Sequence, residues 1–211
     1  VDPSRYLGTL PRGRHSLTRE EVAASQRGRL LLGMAEAVAE KGYVATTVAD
    51  VLKRVHVSRE TFYQHFSDKA DCFLAAFAKS AEILEEGVRN AAGPDDAPAM
   101  ERFERALTAY LDLMSNEGAL AKTFLVEVYA AGPAAASRRF EIQRRWVRMF
   151  NQILSSDEHW QALPDPYFAV QMVVGGVAAL VTARISADDL ESLPALREPI
   201  LDLVHSMVRD R

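Results

Sequence analysis

Within the stretch VSRETFYQHF, residues 57–66, stand Ser58, Arg59, Thr61, Tyr63, Gln64 and His65. Such groups could serve catalysis, but their neighbours do not support it. The chain holds no credible nucleophile–base pair, no G-x-S-x-G and no glycine-rich phosphate loop. Its five histidines and one cysteine are scattered, with no zinc-ligand spacing, so no metal, no cofactor and no enzyme activity are expected. What these side chains do offer is hydrogen bonding in quantity. Arginine bonds guanine bidentately in a major groove. Hydroxyls, and amides freed at a helix start, suit phosphate oxygens. Lys69, at the start of the next helix, can add a phosphate contact.

Such a display needs a rigid mount, and the surrounding pattern supplies one. Phe62 and Phe66, four apart, can turn inward while Arg59, Thr61, Tyr63 and Gln64 turn out. Ser58 is placed to cap this short helix, which should run to about His65. Thr47 caps a preceding helix through Arg54, with Asp50 as box partner and Val48, Val51, Leu52 and Val55 on its inner side. Val57 fills the turn between them. Thr18 and Glu21 form a capping box for a first helix that should reach Lys41 and stop at Gly42. Its apolar face holds Val22, Leu30, Leu31, Met34, Ala35 and Val38. Ser67 is expected to cap a long fourth helix from Asp68 to about Asn90. Helix-turn-helix units divide their side chains between an apolar anchor and a free face in this way.

Helical periodicity continues through residues 99–115, 119–131, 133–154, 165–187 and 193–209, with no sustained strand alternation. The fold class expected is therefore all-α, with about nine helices. The composition agrees with a folded body: 211 residues, 48% hydrophobic, with a net charge of −4. Residues 1–69 carry 11 Lys and Arg against 8 Asp and Glu, whereas residues 70–211 carry 14 against 21. A basic first third on an acidic body fits an anionic partner for that third alone. Arg12 and Arg14 lie just before the first helix, where a basic arm over residues 1–17 could reach DNA. The start has no apolar signal region, and no run of about 20 uninterrupted apolar residues appears. The expected compartment is the cytoplasm. Cys72 reads as a buried structural thiol.

The stretch "TTVADVLKRVHVSRETFYQHFSDKADCF", with "GRLLLGMAEAVAEKGY" before it, resembles the DNA-binding signature of the TetR family of bacterial transcriptional regulators. The resemblance implies a homodimer, each subunit presenting one recognition helix to half of a pseudo-palindromic operator. It implies DNA contacts for Thr47, Arg59, Thr61, Tyr63, His65 and Lys69. Residues 18–69 would then bind DNA, and residues 70–211 would bind a ligand and the partner copy. The chain departs from the family where an Ala-x-x-Ala-Gly run is common: Leu52, Val55 and His56 stand there. His56 must serve in the turn where glycine usually does.

The larger part is rich in aromatic residues, most of them core, yet able to line a mostly apolar pocket with a few polar handles. The candidates are Phe103, Tyr110, Phe124, Glu127, Arg145, Trp146, Phe150, Phe168, Gln171 and Met172. The nearly uncharged segment VVGGVAALV offers Val173, Gly175, Gly176 and Leu180 for close helix approach. The last helix offers Leu196, Ile200, Leu203, Val204 and Met207. The two helices could pair with their copies in a four-helix dimer interface. The sequence thus favours a ligand-responsive repressor of double-stranded operator DNA, released by a small, mostly apolar effector. The alternative is an all-α small-molecule-binding protein or enzyme without DNA binding.

Overall fold

A computed structural model describes residues 18–208. Among these residues there are ten α-helices and no strand. The helices are α1 (Arg19–Lys41), α2 (Val48–Val55), α3 (Arg59–His65), α4 (Lys69–Ala92) and α5 (Ala99–Asn116). They continue as α6 (Gly118–Leu125), α7 (Pro133–Leu154), α8 (Glu158–Gln161), α9 (Pro166–Ser186) and α10 (Arg197–Val208).

Local chemistry sets the first boundaries. At both Thr18 and Thr47 the two halves of the capping box are formed: Glu21 N–H bonds Thr18 Oγ1 at 3.2 Å, and Asp50 N–H bonds Thr47 Oγ1 at 3.2 Å. Helix α4 is capped by Asp68 rather than Ser67, because Asp68 Oδ1 accepts from Asp71 N–H at 2.8 Å. Ser67 donates its own N–H to Asp71 instead.

Two later stretches are less regular than their periodicity. The run expected as one helix over 119–131 is α6 followed by a 3-10 turn, Glu127–Ala131. β-branched Val126 and Val128 flank Glu127, whose carboxylate is held by the distant Tyr43 amide, and the backbone tightens there. A 3-10 turn at Pro194–Leu196 likewise precedes α10.

Helix α1 packs against α2, α4 and α6, so the short-helix unit rests on the body through α1 and α4. Helix α4 continues into contact with α5 and α7, and α9 lies on α7. The core runs unbroken between the parts. Tyr43 and Phe73 lie 4.9 Å apart by ring centroids, Phe73 and Phe77 6.4 Å, and Phe77 and Phe124 5.0 Å.

Helix α9 is long and apolar enough to cross a membrane by length and composition alone. In this fold its Val170, Val173, Val174, Val181 and Ile185 are buried, while Phe168, Met172 and Leu180 form an exposed stripe.

Candidate nucleic-acid interface and ligand cavity

Helix α3 is fixed from beneath. Phe62 is fully buried and Phe66 nearly so, their ring centroids 5.7 Å apart. Arg27 of α1 covers Phe66, its guanidinium carbon 4.9 Å from the ring centroid. The turn into α3 is held by His56, which adopts left-handed geometry at φ 51° and ψ 48°. This is the conformation glycine adopts most readily, and histidine tolerates it better than most residues. The guanidinium of Arg29 reaches the carbonyl of Val55 and ties α1 to the end of α2.

On the outer face, Ser58, Arg59, Tyr63 and Gln64 are exposed, with Tyr63 keeping 48% of its surface. Arg59 lies 5.8 Å from the Tyr63 ring centroid, which keeps both side chains on one side of the helix. Thr61 and His65 are half-buried. Ser58 Oγ accepts Thr61 N–H at 3.0 Å and lies 2.9 Å from Thr61 Oγ1, so part of that hydroxyl capacity serves the cap itself. Thr47 is exposed, but its hydroxyl bonds Asp50 at 2.7 Å.

Lys69 is tethered. Its Nζ donates to the Tyr43 carbonyl at 2.9 Å and sits 4.2 Å from the Tyr43 ring centroid. Burial, and then the nearby Arg27 charge, hold the His65 imidazole below its ordinary pKa. It is therefore a neutral donor or acceptor near pH 7, not a cation for phosphate. Sequence reasoning missed Val44, which is 78% exposed in the turn before Thr47. Arg12 and Arg14 lie outside the described residues.

The body holds a cavity of about 70 Å³ between α4, α5, α6, α7 and α9. Phe103, Tyr110, Phe124, Trp146 and Phe150 line it, and so do Phe77, Arg139 and Val177. Five other sequence candidates stand elsewhere. Glu127 accepts the Tyr43 amide at 2.8 Å. Arg145 donates Nε to Glu85 at 2.9 Å on a different flank of α7. Phe168, Gln171 and Met172 face outward, because their side of α9 has no neighbour in the subunit.

The interface candidates also divide. Val173 lines the cavity, and Leu196, Ile200 and Val204 are buried within the subunit where α10 meets α5 and α8. Their apolar faces are used inside. Gly176, Leu180 and Leu203 remain outside, while Gly175 and Met207 are half-buried.

A second apolar cavity, about 100 Å³, lies between α1, α4, α5 and α6. Leu84, Met114 and Phe124 wall both cavities and separate them. Lys79, Glu86 and Asn90 also border the second one.

Arg139 is the residue that sequence reasoning should have found. It precedes Ile142, Trp146 and Phe150 by three, seven and eleven positions, on the same stripe of α7. It is only 8% exposed, and its Nε is enclosed without a hydrogen-bond partner. Beside it, burial pushes the Tyr110 phenol up to about 12, against a smaller opposing pull from Arg139.

An all-helical body carrying a rigid N-terminal helix-turn-helix of the DNA-binding type defines the class. Residues 31–76 match the model of bacterial regulatory proteins of the tetR family. It is 28% identical over 113 residues to the HTH-type transcriptional activator FasR of Mycolicibacterium smegmatis, covering 54% of this chain and 51% of FasR. The chain thus spans about half the length of that relative. The fold is similar to the fatty acid degradation regulator FadR of Bacillus halodurans, with a TM-score of 0.75 at 19% identity. That likeness covers 87% of this chain and 94% of FadR. It is also similar to FadR of Bacillus subtilis in complex with stearoyl-CoA, with a TM-score of 0.67 at 22% identity, covering 85% and 96%.

Proposed function

We propose that the protein is a homodimeric, ligand-responsive repressor of the bacterial cytoplasm that binds a pseudo-palindromic operator and catalyses no reaction. One observation carries this reading: α3 buries Phe62 completely while exposing Arg59, Tyr63 and Gln64 on a single face. Residues 18–69 read DNA, and residues 70–211 hold the effector and the partner copy. Arg59 and Gln64 reach base edges. Ser58, Thr61, Tyr63, His65 and Thr47 position the backbone, and Lys69 adds charge. The exposed stripe of α9 packs against its copy and sets two α3 helices roughly 34–36 Å apart, one turn of DNA.

The effector is small and mostly apolar, in keeping with the cavity walls, and only the acyl chain of the stearoyl-CoA in the Bacillus subtilis FadR complex is comparable. Phe124 walls the cavity and would be pressed by such an effector. Two routes lead from there toward α1 and α4: the ring series through Phe77 and Phe73 to Tyr43, and Glu127 on the Tyr43 amide. An effector that binds the two settings unequally by about 1–3 kcal/mol would change operator affinity about 5–150-fold.

The test is selection of bound fragments from genomic DNA, repeated with Tyr63→Ala. An inverted repeat should be enriched by the parent protein and lost with the variant. Enrichment of nothing, or equal enrichment by both, would refute the reading. Affinity for the selected repeat should fall steeply with added salt, as phosphate contacts require.

A further inference from the structure

Resting on the reading of the body as an effector domain, we propose that the effector carries an anionic group, a carboxylate or its equivalent, that enters the apolar cavity and pairs with Arg139.

The cavity is lined almost entirely by carbon: Phe103, Phe124, Trp146 and Phe150 among others. Into this wall α7 sets Arg139, a residue only 8% exposed whose Nε is enclosed without a partner. Arginine presents a delocalised cation in a rigid planar fork of donors. Several other arginines of the body have partners, although Arg102 Nε and Arg145 Nη2 are likewise enclosed without one. Arg138 pairs with Glu141, Arg145 with Glu85, Arg184 with Asp189, and Arg105 donates to the Ala92 carbonyl. Arg139 has no ion pair and no hydrogen bond among the described residues, and its Nε is enclosed. A largely buried arginine whose Nε has no acceptor opposes folding of the empty protein. It is retained at low cost only if something else supplies the anion.

The chemistry of the ligand follows from the two halves of the site. The aromatic and aliphatic walls take an apolar body. The planar fork of Arg139 takes two oxygens of a carboxylate, and the phenol of Tyr110, in the same lining, can donate a further hydrogen bond. A neutral ester or a thioester offers one carbonyl oxygen and no charge at that point. The site should therefore distinguish a free acid from its esters. This is a finer demand than apolar character alone.

Trp146 lines the cavity and provides the signal. Tryptophan emission of the full chain is titrated with dodecanoate, methyl dodecanoate and dodecanoyl-CoA, and with 4-phenylbutanoate and its methyl ester. At least one free acid should bind about tenfold or more tightly than its own ester, the lower range expected for hydrogen bonds to a charged group. Arg139→Met should abolish that preference and raise the melting temperature of the empty protein by roughly 2–8 °C. Arg139→Lys should keep part of the preference.

Equal binding of acids and esters, tighter binding of the CoA thioester than of the free acid, no binding of any probe, or an undiminished preference in Arg139→Met would each overturn the proposal. The comparison of acid with ester on the parent protein decides the matter even if a variant fails to fold. Operator binding is measured on the same preparation, so loss of acid preference with operator binding intact rejects this inference and leaves the regulator reading standing.

Discussion

The carboxylate of Glu127 accepts the backbone N–H of Tyr43 at 2.8 Å, a bond between residues 84 positions apart. Tyr43 lies in the turn between α1 and α2, and its carbonyl in turn accepts from Lys69 at 2.9 Å. Glu127 follows Phe124 by three residues, and Phe124 walls both cavities. A single short segment thus touches the cavity at one end and the base of the helix-turn-helix at the other. Replacing Glu127 with Ala should leave effector binding and unliganded operator binding within about threefold. It should shrink the effector's influence on operator affinity by about 0.5–2 kcal/mol. Operator Kd with and without effector gives the answer, and an unchanged ratio would remove Glu127 from the coupling.

Close approach of α1 to α2 depends on Gly33. A Cβ added there would stand 2.5 Å from Val55 Cγ1 and 3.5 Å from Val51 Cγ1. Val55 is 8% exposed and cannot swing clear. Gly33→Ala should therefore cost about 1–3 kcal/mol through overpacking. Gly33→Ala combined with Val55→Ala should recover part of that loss, because the second change removes the methyl that clashes. Urea midpoints of the two single variants and the pair form the cycle. Additive losses would mean the contact does not limit the packing.

The His56 turn makes a smaller prediction with a definite sign. An L-residue in the left-handed region costs about 1–2 kcal/mol relative to a relaxed one, and a β-branched side chain costs more. His56→Val should destabilise by at least about 1 kcal/mol. His56→Gly should be neutral or stabilising by up to about 1 kcal/mol, with its added unfolded-state freedom offsetting part of the gain. His56 is exposed, so lost packing cannot mimic the effect. Thermal melts rank the three proteins, and a Val variant as stable as the parent would contradict the geometry.

How much of this was readable from sequence differs by residue. The mount of α3 was legible because its determinants are local: capping residues three apart, two phenylalanines four apart, and a turn between short apolar runs. The α7 face of the cavity was half legible. Trp146 and Phe150 stand out, but Arg139 on the same stripe reads as surface unless the stripe is followed back one more turn. Helix α9 was not legible in register. It is apolar on all sides, so its sequence does not say whether Val173 or Met172 faces the cavity. The structure puts Val173 inside and Met172 outside, the reverse of the expectation. The Glu127–Tyr43 bond has no local signal, since a contact across 84 residues is fixed by tertiary packing alone.

Cys72 offers a pH-linked check on the core under the helix-turn-helix. It is fully buried, and its Sγ lies 3.9 Å from the Leu30 carbonyl. Burial first, and then the Asp71 charge, push its thiol up to about 12. The thiolate is the reactive form, so the folded protein should resist a thiol-specific aromatic disulfide at pH 8. Reaction should instead track unfolding in urea. A depressed pKa would have predicted the opposite, a thiol that labels fast at neutral pH. Rapid labelling of the folded chain would place Cys72 outside the core.

The α9 stripe gives the test of assembly. Phe168, Met172 and Leu180 are 57%, 59% and 46% exposed, and a Cβ at Gly176 would meet nothing within 4 Å in its own subunit. An isolated subunit should therefore accept a larger side chain at Gly176 without strain, and even gain up to about 1 kcal/mol from helix propensity. If the stripe faces its copy, the same side chain intrudes on a close helix contact. Gly176→Leu should leave the circular-dichroism spectrum unchanged but raise the dimer dissociation constant at least about tenfold, the equivalent of ~1.4 kcal/mol. Leu180→Glu should do the same by burying an unpaired charge. On the proposed dimer reading, losing dimerisation should lower operator affinity, because each subunit would cover half of a two-fold site. Sedimentation equilibrium measures the first effect and operator titration the second. A Gly176→Leu protein that dimerises like its parent would place the interface elsewhere on the body.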